Sequence, residues 1–288
     1  MANQGKLFIV GTPIGNLGDL SPRAREVLSS VDFIAAEDTR VTQKLLTACS
    51  LPRKPLISYY EHNRRARGEE VLAKLLAGES CALVTDAGTP AVSDPGEDLV
   101  ALCAANDVPV IPIPGCCAAV CGLAASGLPT GRWCFEGFLS VNKKARREHL
   151  DALKDEKRTM IFYEAPHKLC ATLRDLADAF GGDRRISLSR ELTKLHEQTL
   201  RMTLDKAVAY FDETPPRGEF VLTVEGAPET IDTPESEDAR LAAAADEVRR
   251  RIAAGETQKD AVKAVSVAAG VKKNALYRLV LEQDETDA

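Results

Sequence analysis

Three loops rich in glycine and proline hold residues whose types and spacing suit ligand binding. They follow short apolar runs and are Gly11-Thr-Pro-Ile-Gly-Asn-Leu-Gly-Asp19, Asp86 to Gly96, and Pro114-Gly-Cys-Cys-Ala-Ala119. Glycine permits close approach and unusual dihedral angles, and proline holds a loop in one shape. Such loops suit a flat, neutral or cationic ligand, because they lack the Lys or Arg expected beside a triphosphate. One such loop would be an ordinary tight turn, but three at strand ends favour a pocket.

Several carboxylates in or just beyond strand-end motifs are candidates for chemistry on a hydroxyl group. We take Glu37, Asp38, Glu191 and Arg40 as candidate catalytic residues, with Asp86 as a further candidate base. A carboxylate within hydrogen-bond reach of a hydroxyl takes its proton as a new bond forms. Asp38 lies two residues from Arg40, so the acid could face a hydroxyl and the guanidinium a phosphate. Alternatively, this pair only braces the loop, and both interpretations stay open.

Several common functional motifs are absent from the sequence. It contains no P-loop, no Gly-x-Gly-x-x-Gly after a strand and no Gly-x-Ser-x-Gly nucleophile elbow. None of the eight cysteines forms a Cys-x-x-Cys pair, and we interpret them as reduced thiols in apolar surroundings. We predict no metal site, because the histidines lack metal-ligand spacing. The histidines are His62, His149, His167 and His196.

The elements that must position the loops alternate between short apolar runs and amphipathic stretches. Helices are predicted from Ser21, an N-cap followed by Pro22, and over 69–77 and 97–105. This alternation indicates a parallel-rich α/β sheet, which we assign to an N-terminal domain of residues 1–125. The predicted strands are Leu7–Val10, Phe33–Ala36, Leu56–Ser58, 81–85 and Val110–Ile113.

The pattern changes near residue 127 and predicts a second α/β domain at 126–228. Only two helices are evident in it, at 146–153 and 168–179, so we expect a more mixed sheet. The predicted strands of this half are 159–163, 186–189, 199–203 and Phe220–Val224.

A helical module at 236–288 follows a polar linker at 225–237. Gly270 separates its last two helices, and helix, glycine turn and helix is the helix-turn-helix pattern. A three-helix cap that packs on the second domain explains the segment equally well. Whether the module packs on that domain or contacts RNA therefore stays open. The predicted helices are 239–253, one capped by Thr257, and 272–283.

Basic residues are clustered although the net charge is −6. Local clusters matter more than total charge for contact with phosphates. A solvated helix face explains any one cluster, whereas four clusters, including 249–251, favour RNA contact. The residues that we predict to contact RNA are Arg64, Arg65, Arg67, Lys143, Lys144, Arg146, Arg147, Lys272 and Lys273.

Length and hydropathy bound the class of protein. The 288 residues are 44% hydrophobic, enough for one large or two medium domains with packed cores. No apolar run approaches the ~18 residues that cross a membrane, and no signal peptide is evident. We therefore expect a soluble cytoplasmic protein with no membrane partner.

Six motifs resemble the tetrapyrrole methylase superfamily. They are Gly11-Thr-Pro-Ile-Gly-Asn16, Ala36-Glu-Asp-Thr-Arg40, Asp86 to Gly96, Pro114-Gly115, Phe162-Tyr-Glu164 and Arg190-Glu-Leu-Thr-Lys194. The sequence is similar to one branch in particular, the ribosomal RNA small subunit methyltransferase I family. The C-terminal Gly270-Val-Lys-Lys-Asn-Ala-Leu-Tyr277 also resembles that branch, so the resemblance covers nearly the whole chain. Cys116 departs from it, since proline is common there.

The resemblance implies a fold of two α/β domains with S-adenosylmethionine in the cleft between them, and a homodimer. It also implies 2′-O-methylation of a cytidine in the decoding region of 16S rRNA. The partner would then be 16S rRNA or the small ribosomal subunit. The residues that the resemblance places at the donor site are Pro13, Ala87, Gly88, Thr89, Val92, Cys117, Ala118 and Glu164.

Methyl transfer requires a nucleophile aligned with the donor at a distance of ~3–3.5 Å. The ribose hydroxyl is a poor nucleophile while protonated, so the carboxylates named above are candidate bases, although a mechanism without a dedicated base stays open. Lys194 is a further candidate for contact with RNA phosphate. Tyr59, Tyr60 and Phe135 would either stack on bases or pack in the core.

Two alternatives compete with this interpretation. One is another methyltransferase of the same superfamily that acts on a small molecule or a protein. The helical tail and basic loops disfavour it, because a small substrate needs neither. The other is a non-catalytic RNA-binding relative, which the intact donor-site loops disfavour.

Overall fold

The computed structural model of the chain describes residues 4–228 and 234–284. The chain divides into two compact units, Met1–Ala227 and Pro228–Ala288, and both β-sheets belong to the first. The predicted linker at 225–237 lies partly outside the described residues. The division of the first unit into domains at 1–125 and 126–228 stays a prediction.

The first sheet consists of parallel strands with helices between them. Its strands are β1 Leu7–Val10, β2 Phe33–Ala36, β3 Leu56–Ser58, β4 Cys81–Val84 and β5 Val110–Ile113. Its helices are α1 Pro22–Ser30, α2 Thr39–Ala48, α3 Arg64–Leu76 and α4 Glu97–Ala105. The strand order is β3-β2-β4-β1-β5, and each neighbouring pair is parallel, as predicted.

The strand order creates a crevice at one edge of this sheet. After β1 the chain continues to β2, which lies on the β3 side of the sheet. After β4 it continues to β5, which lies at the opposite edge. Where connections from adjacent parallel strands diverge, a crevice opens beyond their carboxyl ends. The loops after β1 and β4 therefore flank a place where a ligand fits.

Two helix starts show how local sequence sets the boundaries. Ser21 Oγ accepts a hydrogen bond from Ala24 N at 3.1 Å and Pro22 begins α1, as predicted. Asp38 Oδ1 accepts from Arg40 N at 2.8 Å and caps α2. The expectation that Asp38 and Arg40 belong to a loop is therefore wrong, because one caps α2 and the other lies in its first turn.

The second sheet is mixed, also as predicted. Helix α5, Ala118–Ser126, leads into it. Its strands are β6 Trp133–Phe138, β7 Thr159–Glu164, β8 Arg185–Arg190, β9 Gln198–Thr203 and β10 Phe220–Val224. Its helices are α6 Lys143–Ala152, α7 Pro166–Phe180 and α8 Leu204–Glu213. The order is β6-β7-β10-β8-β9, and only β6 and β7 pair in parallel.

Three elements of this half escaped sequence-based prediction. Strand β6 lies at the sheet edge with a register shift between Phe135 and Gly137, which breaks the alternation of a regular strand. Helix α5 is apolar nearly all round, so it lacks the periodicity of a surface helix. Helix α8 begins directly after β9, without a side-chain cap.

Both faces of the first sheet are buried. Alternate residues of β4 point to opposite faces, with Cys81 and Leu83 in one apolar cluster and Ala82 and Val84 in the other. Burial on both faces is typical of parallel sheets flanked by helices. Cys81 behaves here as a small apolar residue, in agreement with the interpretation of the cysteines.

The C-terminal unit, taken by itself, is a three-helix bundle. Thr257 Oγ1 accepts from Asp260 N at 3.3 Å and caps its second helix, as predicted. Gly270, with φ +63°, lies in the turn before the third helix. Ala245, Val248 and Leu276 are fully buried in the core of the unit. The helices are α9 Pro234–Ala253, α10 Gln258–Ala268 and α11 Lys273–Asp284.

Within residues 4–228 and 234–284, no helix combines the length and the apolar character needed to cross a lipid bilayer.

Candidate functional site

Hydrogen bonds join the loops after β1, β4 and β5. Thr12 N donates to Gly88 O at 2.8 Å, and Gly88 N donates to Thr12 O at 3.2 Å. Thr89 Oγ1 donates to Cys116 O at 2.8 Å, which connects the loop after β4 to the loop after β5. The three loops rich in glycine and proline therefore meet at one place in the fold.

Glycines make this convergence sterically feasible. A Cβ atom on Gly115 would lie 2.6 Å from Gly11 O, and one on Gly11 would lie 2.7 Å from Gly115 Cα. Both clashes involve backbone, which cannot rotate away as a side chain does. Gly88 has φ +89°, in the left-handed region that favours glycine. The loops after β1 and β5 thus touch only because both contact residues lack a side chain.

These loops and the second sheet enclose a cavity of about 290 Å³, which we call the donor cavity. Its volume lies near the lower end of the ~300–1,000 Å³ typical of small-molecule sites. Four carboxylates and one ammonium line it: Asp94, Glu164, Glu191, Glu219 and Lys194. The excess of negative charge suits a cationic ligand and disfavours a triphosphate. The size and charge of the cavity therefore fit the ligand class predicted from the loops.

Seven of the eight residues predicted to bind the donor line this cavity. They are Ala87, Gly88, Thr89, Val92, Cys117, Ala118 and Glu164. Pro13 is buried, and its neighbour Ile14 lines the cavity instead. The fold thus gathers this group of predicted residues at one site, although their contacts with a donor stay a prediction.

Glu164, at the end of β7, is a carboxylate held in place by its neighbours. Its side chain is only 3% exposed. Its Oε1 accepts from Ala165 N at 2.9 Å, and Thr172 Oγ1 donates to its Oε2 at 2.5 Å. Arg146 Nη2 in turn donates to Thr172 Oγ1 at 2.9 Å. This network fixes the orientation of Glu164 through helices α6 and α7.

Tyr163 connects the second sheet to the start of α5. Its hydroxyl accepts a hydrogen bond from Ala119 N at 3.0 Å. Burial raises the pKa of Tyr163 to about 12, so the phenol stays neutral. Phe135 and Phe138 pack edge-on against the ring with centroids 5.0 and 5.5 Å away. Phe135 is thereby engaged in packing, which favours the core interpretation of this residue over base stacking.

Glu191 and Lys194, predicted as a candidate catalytic base and an RNA contact, both line the donor cavity. Lys194 Nζ donates to Glu191 Oε1 and to Glu219 Oε2, at 2.9 Å each. The hydrogen bond from Lys194 lowers the pKa of Glu191. Because this carboxylate is already neutralised by an ammonium, it is a weak base and Lys194 is not free for phosphate.

Glu37, Asp38, Arg40 and Asp86 form a separate network at the ends of β2 and β4. Asp38 N donates to Asp86 Oδ1 at 3.1 Å, and Asp86 N donates to Glu37 Oε2 at 3.3 Å. Arg40 is 86% exposed and pairs with Asp38 at 2.6 Å, and its hydrogen bond lowers the pKa of Asp38 to about 2. Burial raises the pKa of Glu37 and of Asp86. None of the four lines the donor cavity.

A second cavity of about 520 Å³ adjoins the donor cavity. Ser93 and Asp94 line both cavities, and Glu37 lines the second. Burial, followed by the charges of Glu37 and Asp86, raises the pKa of Asp94 to about 6. Asp94 belongs to the loop 86–96 but is not among the candidate bases predicted from the sequence. Its position in a strand-end loop, the same signal that selected Asp86, could have identified it.

The arginines of α3 are partly engaged in ion pairs. Arg64 pairs with Asp98 at 2.9 Å and with Glu61 at 3.3 Å, and Arg67 pairs with Glu70 at 2.5 Å. Both guanidiniums remain about half exposed, and exposed pairs of this kind are weak. The other exposed basic residue of this predicted cluster is Arg65.

Arg146 differs from the other predicted RNA contacts. Its side chain is 11% exposed and pairs with Asp175 at 2.5 Å. Together with its bond to Thr172, this places Arg146 between α6 and α7. The prediction that Arg146 contacts an RNA phosphate is therefore wrong, because its side chain is mostly buried and holds α6 against α7. The remaining predicted contacts are exposed at the starts of α6 and α11: Lys143, Lys144, Arg147, Lys272 and Lys273.

The two tyrosines predicted as stacking candidates differ in exposure. Tyr59 is 1% exposed and belongs to the core of the first sheet, so it packs and does not stack on a base. Tyr60 is 41% exposed, lies edge-on to His62 and lines the second cavity.

Across the part of the chain that the structure describes, no cluster of three or more His, Cys, Asp or Glu side chains is arranged to hold a metal ion.

Comparison with known proteins gives the family. Residues 6–208 match the tetrapyrrole (corrin/porphyrin) methylases. The chain is similar to ribosomal RNA small subunit methyltransferase I of Synechocystis sp., with 50% identity covering 96% of this chain and 98% of that protein. The protein of the same name from Escherichia coli O157:H7 is 44% identical, covering 98% of this chain and 96% of that protein.

Solved structures share the fold at low identity. Uroporphyrin-III C-methyl transferase from Thermus thermophilus, complexed with S-adenosylhomocysteine, has a TM-score of 0.53 at 18% identity, covering 77% of this chain and 97% of that chain. A conserved hypothetical protein from Aeropyrum pernix K1 has a TM-score of 0.58 at 14% identity, covering 99% of this chain and 98% of that chain. With the strand-end loops, the two sheets and the near-complete similarity to these relatives, the chain belongs to the tetrapyrrole methylase family and, within it, to the ribosomal RNA small subunit methyltransferase I family.

Proposed function

We propose that this protein transfers a methyl group from S-adenosylmethionine to the 2′-hydroxyl of a cytidine in the decoding region of 16S rRNA. The observation that carries the proposal is the donor cavity, where three loops, one of which contributes Asp94, face three further carboxylates and one ammonium. S-adenosylmethionine carries a sulfonium charge, and this charge balance favours it over an anionic cofactor. The names of the relatives support ribosomal RNA as the substrate.

The residues of the donor cavity have separable roles in this function. The bound donor supplies an activated methyl group, so the protein has to position it and exclude water. The backbone of Ala87, Gly88 and Thr89 is suited to holding the flat part of the donor, and Val92 and Ala118 add apolar surface. Glu164, fixed by Thr172, presents a buried carboxylate for polar groups of the donor.

The basic residues at the starts of two helices support contact with RNA. Lys143, Lys144 and Arg147 are exposed on α6 of the first unit. In the C-terminal unit, Lys272 and Lys273 are exposed beside the glycine turn of the helix-turn-helix pattern. Exposed cationic side chains contact phosphates without large rearrangement, and the affinity they supply falls with salt.

A methylation assay tests the proposed reaction. The protein is incubated with labelled S-adenosylmethionine and small ribosomal subunits from cells that lack it, and ribose methylation of the rRNA is mapped. We expect one label per subunit at one decoding-region cytidine, and loss of that modification in cells without the protein. Free 16S rRNA, tested in parallel, shows whether the assembled subunit is the substrate.

Two other results would contradict the proposal. Donor binding by calorimetry without transfer to subunits or rRNA would favour a methyltransferase for another substrate. Absence of donor binding would favour a non-catalytic RNA-binding relative.

We further propose that the protein is a homodimer in the cytoplasm, as the resemblance implies. Sedimentation velocity tests the oligomeric state, and a monomer would contradict the homodimer.

A further inference from the structure

We infer that Asp94 is the catalytic base of this reaction and takes the proton of the ribose hydroxyl at the boundary of the two cavities. This inference rests on the proposed function and adds a residue to it. A base for this step must reach a hydroxyl that lies beside the donor but enters from outside the donor cavity. Asp94 has that position, because it lines the donor cavity and the second cavity at once.

The other candidate carboxylates do not combine these properties. Asp38 is paired with Arg40 and caps α2, and it lines neither cavity. Asp86 also lines neither cavity, and Glu37 lines only the second. Glu191 lines the donor cavity but is neutralised by Lys194.

Glu164 also lines the donor cavity, but it is buried and engaged. Thr172 Oγ1 and Ala165 N each donate a hydrogen bond to one of its carboxylate oxygens, and it does not line the second cavity. Within the described part of the chain, the Asp94 side chain has no hydrogen bond and no ion pair among the interactions that set its pKa. Its oxygens are therefore available to accept a proton from an incoming hydroxyl.

The backbone around Asp94 holds an unusual conformation. Ala91 and Ser93 have φ of +65° and +63°, in the left-handed region that residues with a side chain rarely adopt. Such conformations cost roughly 1–3 kcal/mol each and persist where the surrounding structure enforces them, often at functional sites. The loop thus holds Asp94 at the cavity boundary against a local conformational preference.

The electrostatic surroundings of Asp94 suit a base that works near neutral pH. Burial and the nearby charges of Glu37 and Asp86 raise its pKa to about 6, so it is ionised at neutral pH but binds a proton more readily than an ordinary aspartate. Tyr163, which also lines the donor cavity, interacts electrostatically with Asp94. The titratable and charged groups on the second-cavity side are Glu37, Tyr60, Glu61, His62, Arg64, Glu97 and Asp98. Those on the donor side are Glu164, Glu191, Lys194 and Glu219.

The proposed step balances without a further reactant. The ribose O–H bond breaks and its proton passes to an Asp94 carboxylate oxygen. A bond forms between the ribose oxygen and the methyl carbon, and the carbon–sulfur bond of the donor breaks, leaving its electron pair on sulfur. The products are the methylated ribose, S-adenosylhomocysteine and protonated Asp94, which then releases its proton to water.

Single-turnover methylation of small ribosomal subunits by Asp94→Asn tests the inference. Asparagine has the shape of aspartate but does not accept the proton, so we expect the rate to fall by about 10²–10⁴-fold at neutral pH. Because Asp94 is one of the four carboxylates that line the donor cavity, calorimetry first measures S-adenosylmethionine affinity in each variant, and rates are then compared at saturating donor so that weaker binding does not enter the comparison. Asp94→Ala is a second variant, and Asp107→Asn, on an exposed turn, is the matched control.

The pH profile separates a base from a merely structural residue. The wild-type rate should rise tenfold per pH unit at low pH and level off above the pKa of about 6. The Asp94→Asn profile should be flat over that range. Histidines also change charge near neutral pH, so His62→Gln is included and should keep the wild-type shape.

Three results would overturn the inference. A wild-type rate in Asp94→Asn would remove Asp94 from the chemistry. A loss fully explained by weaker donor binding would make Asp94 a donor ligand. A pH dependence unchanged in the variant would assign the titration elsewhere. If wild-type protein itself transfers no methyl group to subunits, the proposed function fails, and that result is seen before any variant is compared.

Discussion

The two sides of the donor cavity are built in contrasting ways. The side formed by the first sheet consists of loops whose contacts are backbone to backbone, such as Thr12 with Gly88 and Gly11 against Gly115. The side formed by the second sheet consists of side chains held by other side chains, such as Glu164 with Thr172. The shape of the first-sheet side therefore depends on residues that lack side chains, whereas the second-sheet side depends on hydrogen bonds between side chains.

The first-sheet side therefore determines the shape of the donor cavity, and the second-sheet side determines most of its charge. A backbone surface offers fixed geometry to a flat ligand and is disturbed by any added atom. A side-chain surface offers charge, and its energetic cost depends on whether every buried polar group has a partner. Substitutions on the two sides should therefore fail for different reasons, which makes the comparison testable.

The largest effect is expected on the backbone side. Gly115→Ala places a Cβ 2.6 Å from Gly11 O, and neither loop can relax without moving the other. Overpacking typically costs about 1–3 kcal/mol. If that strain falls on the bound state, S-adenosylmethionine affinity drops by about 5–150-fold, at about 1.4 kcal/mol per tenfold change.

Calorimetry measures this loss, with Gly131→Ala as the control because nothing lies within 4 Å of a Cβ there. Equal donor affinity in Gly115→Ala and wild type would show that the contact between the loops does not shape the site.

An intermediate effect is expected on the side-chain side. Thr172→Val removes the hydroxyl that bonds Glu164 and Arg146, leaving a buried carboxylate with one partner fewer. We expect the free energy of unfolding to fall by about 1–2 kcal/mol, because Glu164 keeps the hydrogen bond from Ala165 N. Urea denaturation followed by circular dichroism measures it.

Thr223→Val is a matched control for this change. Thr223 and Thr172 are both 0% exposed, but among the described residues the Thr223 hydroxyl finds no partner. Its removal should leave stability unchanged or raise it by about 1 kcal/mol. Equal losses in the two variants would mean that cavity formation or strain outweighs hydrogen bonding at both positions.

The smallest effect is expected at Asp38. Asparagine caps helices as well as aspartate, so Asp38→Asn should keep the cap of α2 and leave the methylation rate within about twofold of wild type. Asp38→Ala should lower the melting temperature, because Arg40 N then loses its acceptor. A large loss of methylation in Asp38→Asn with a normal melting temperature would instead support Asp38 as the catalytic base.

Much of the fold could be predicted from local sequence. The strands β1, β2, β3, β5 and β10 have the predicted bounds, because short apolar runs between turn residues mark buried strands. Helix α5 and strand β6 could not be predicted. One is apolar on all sides and the other lies at an irregular sheet edge, so neither shows the periodicity on which prediction depends.

The candidate site divides in the same way. The three loops were predictable, because glycine and proline at strand ends mark the ligand edge of a parallel sheet, and the family resemblance supplied the six residues along them that line the donor cavity. The roles of the carboxylates were not. Asp38 became a helix cap, Glu191 an ion pair and Asp94 the unpaired acid.

The sequence by itself determined which segments turn, which segments pack and where a ligand with little negative charge would bind, because these follow from neighbours in the chain. Only the tertiary structure decided which acid is free and which is paired. Partners such as Glu219 for Lys194, and the Asp38 N that donates to the Asp86 carboxylate, lie 25 and 48 residues away in the chain. Electrostatic interactions depend on distance in space, so the chemistry of each carboxylate is set when strands that are distant in the chain pair within each sheet.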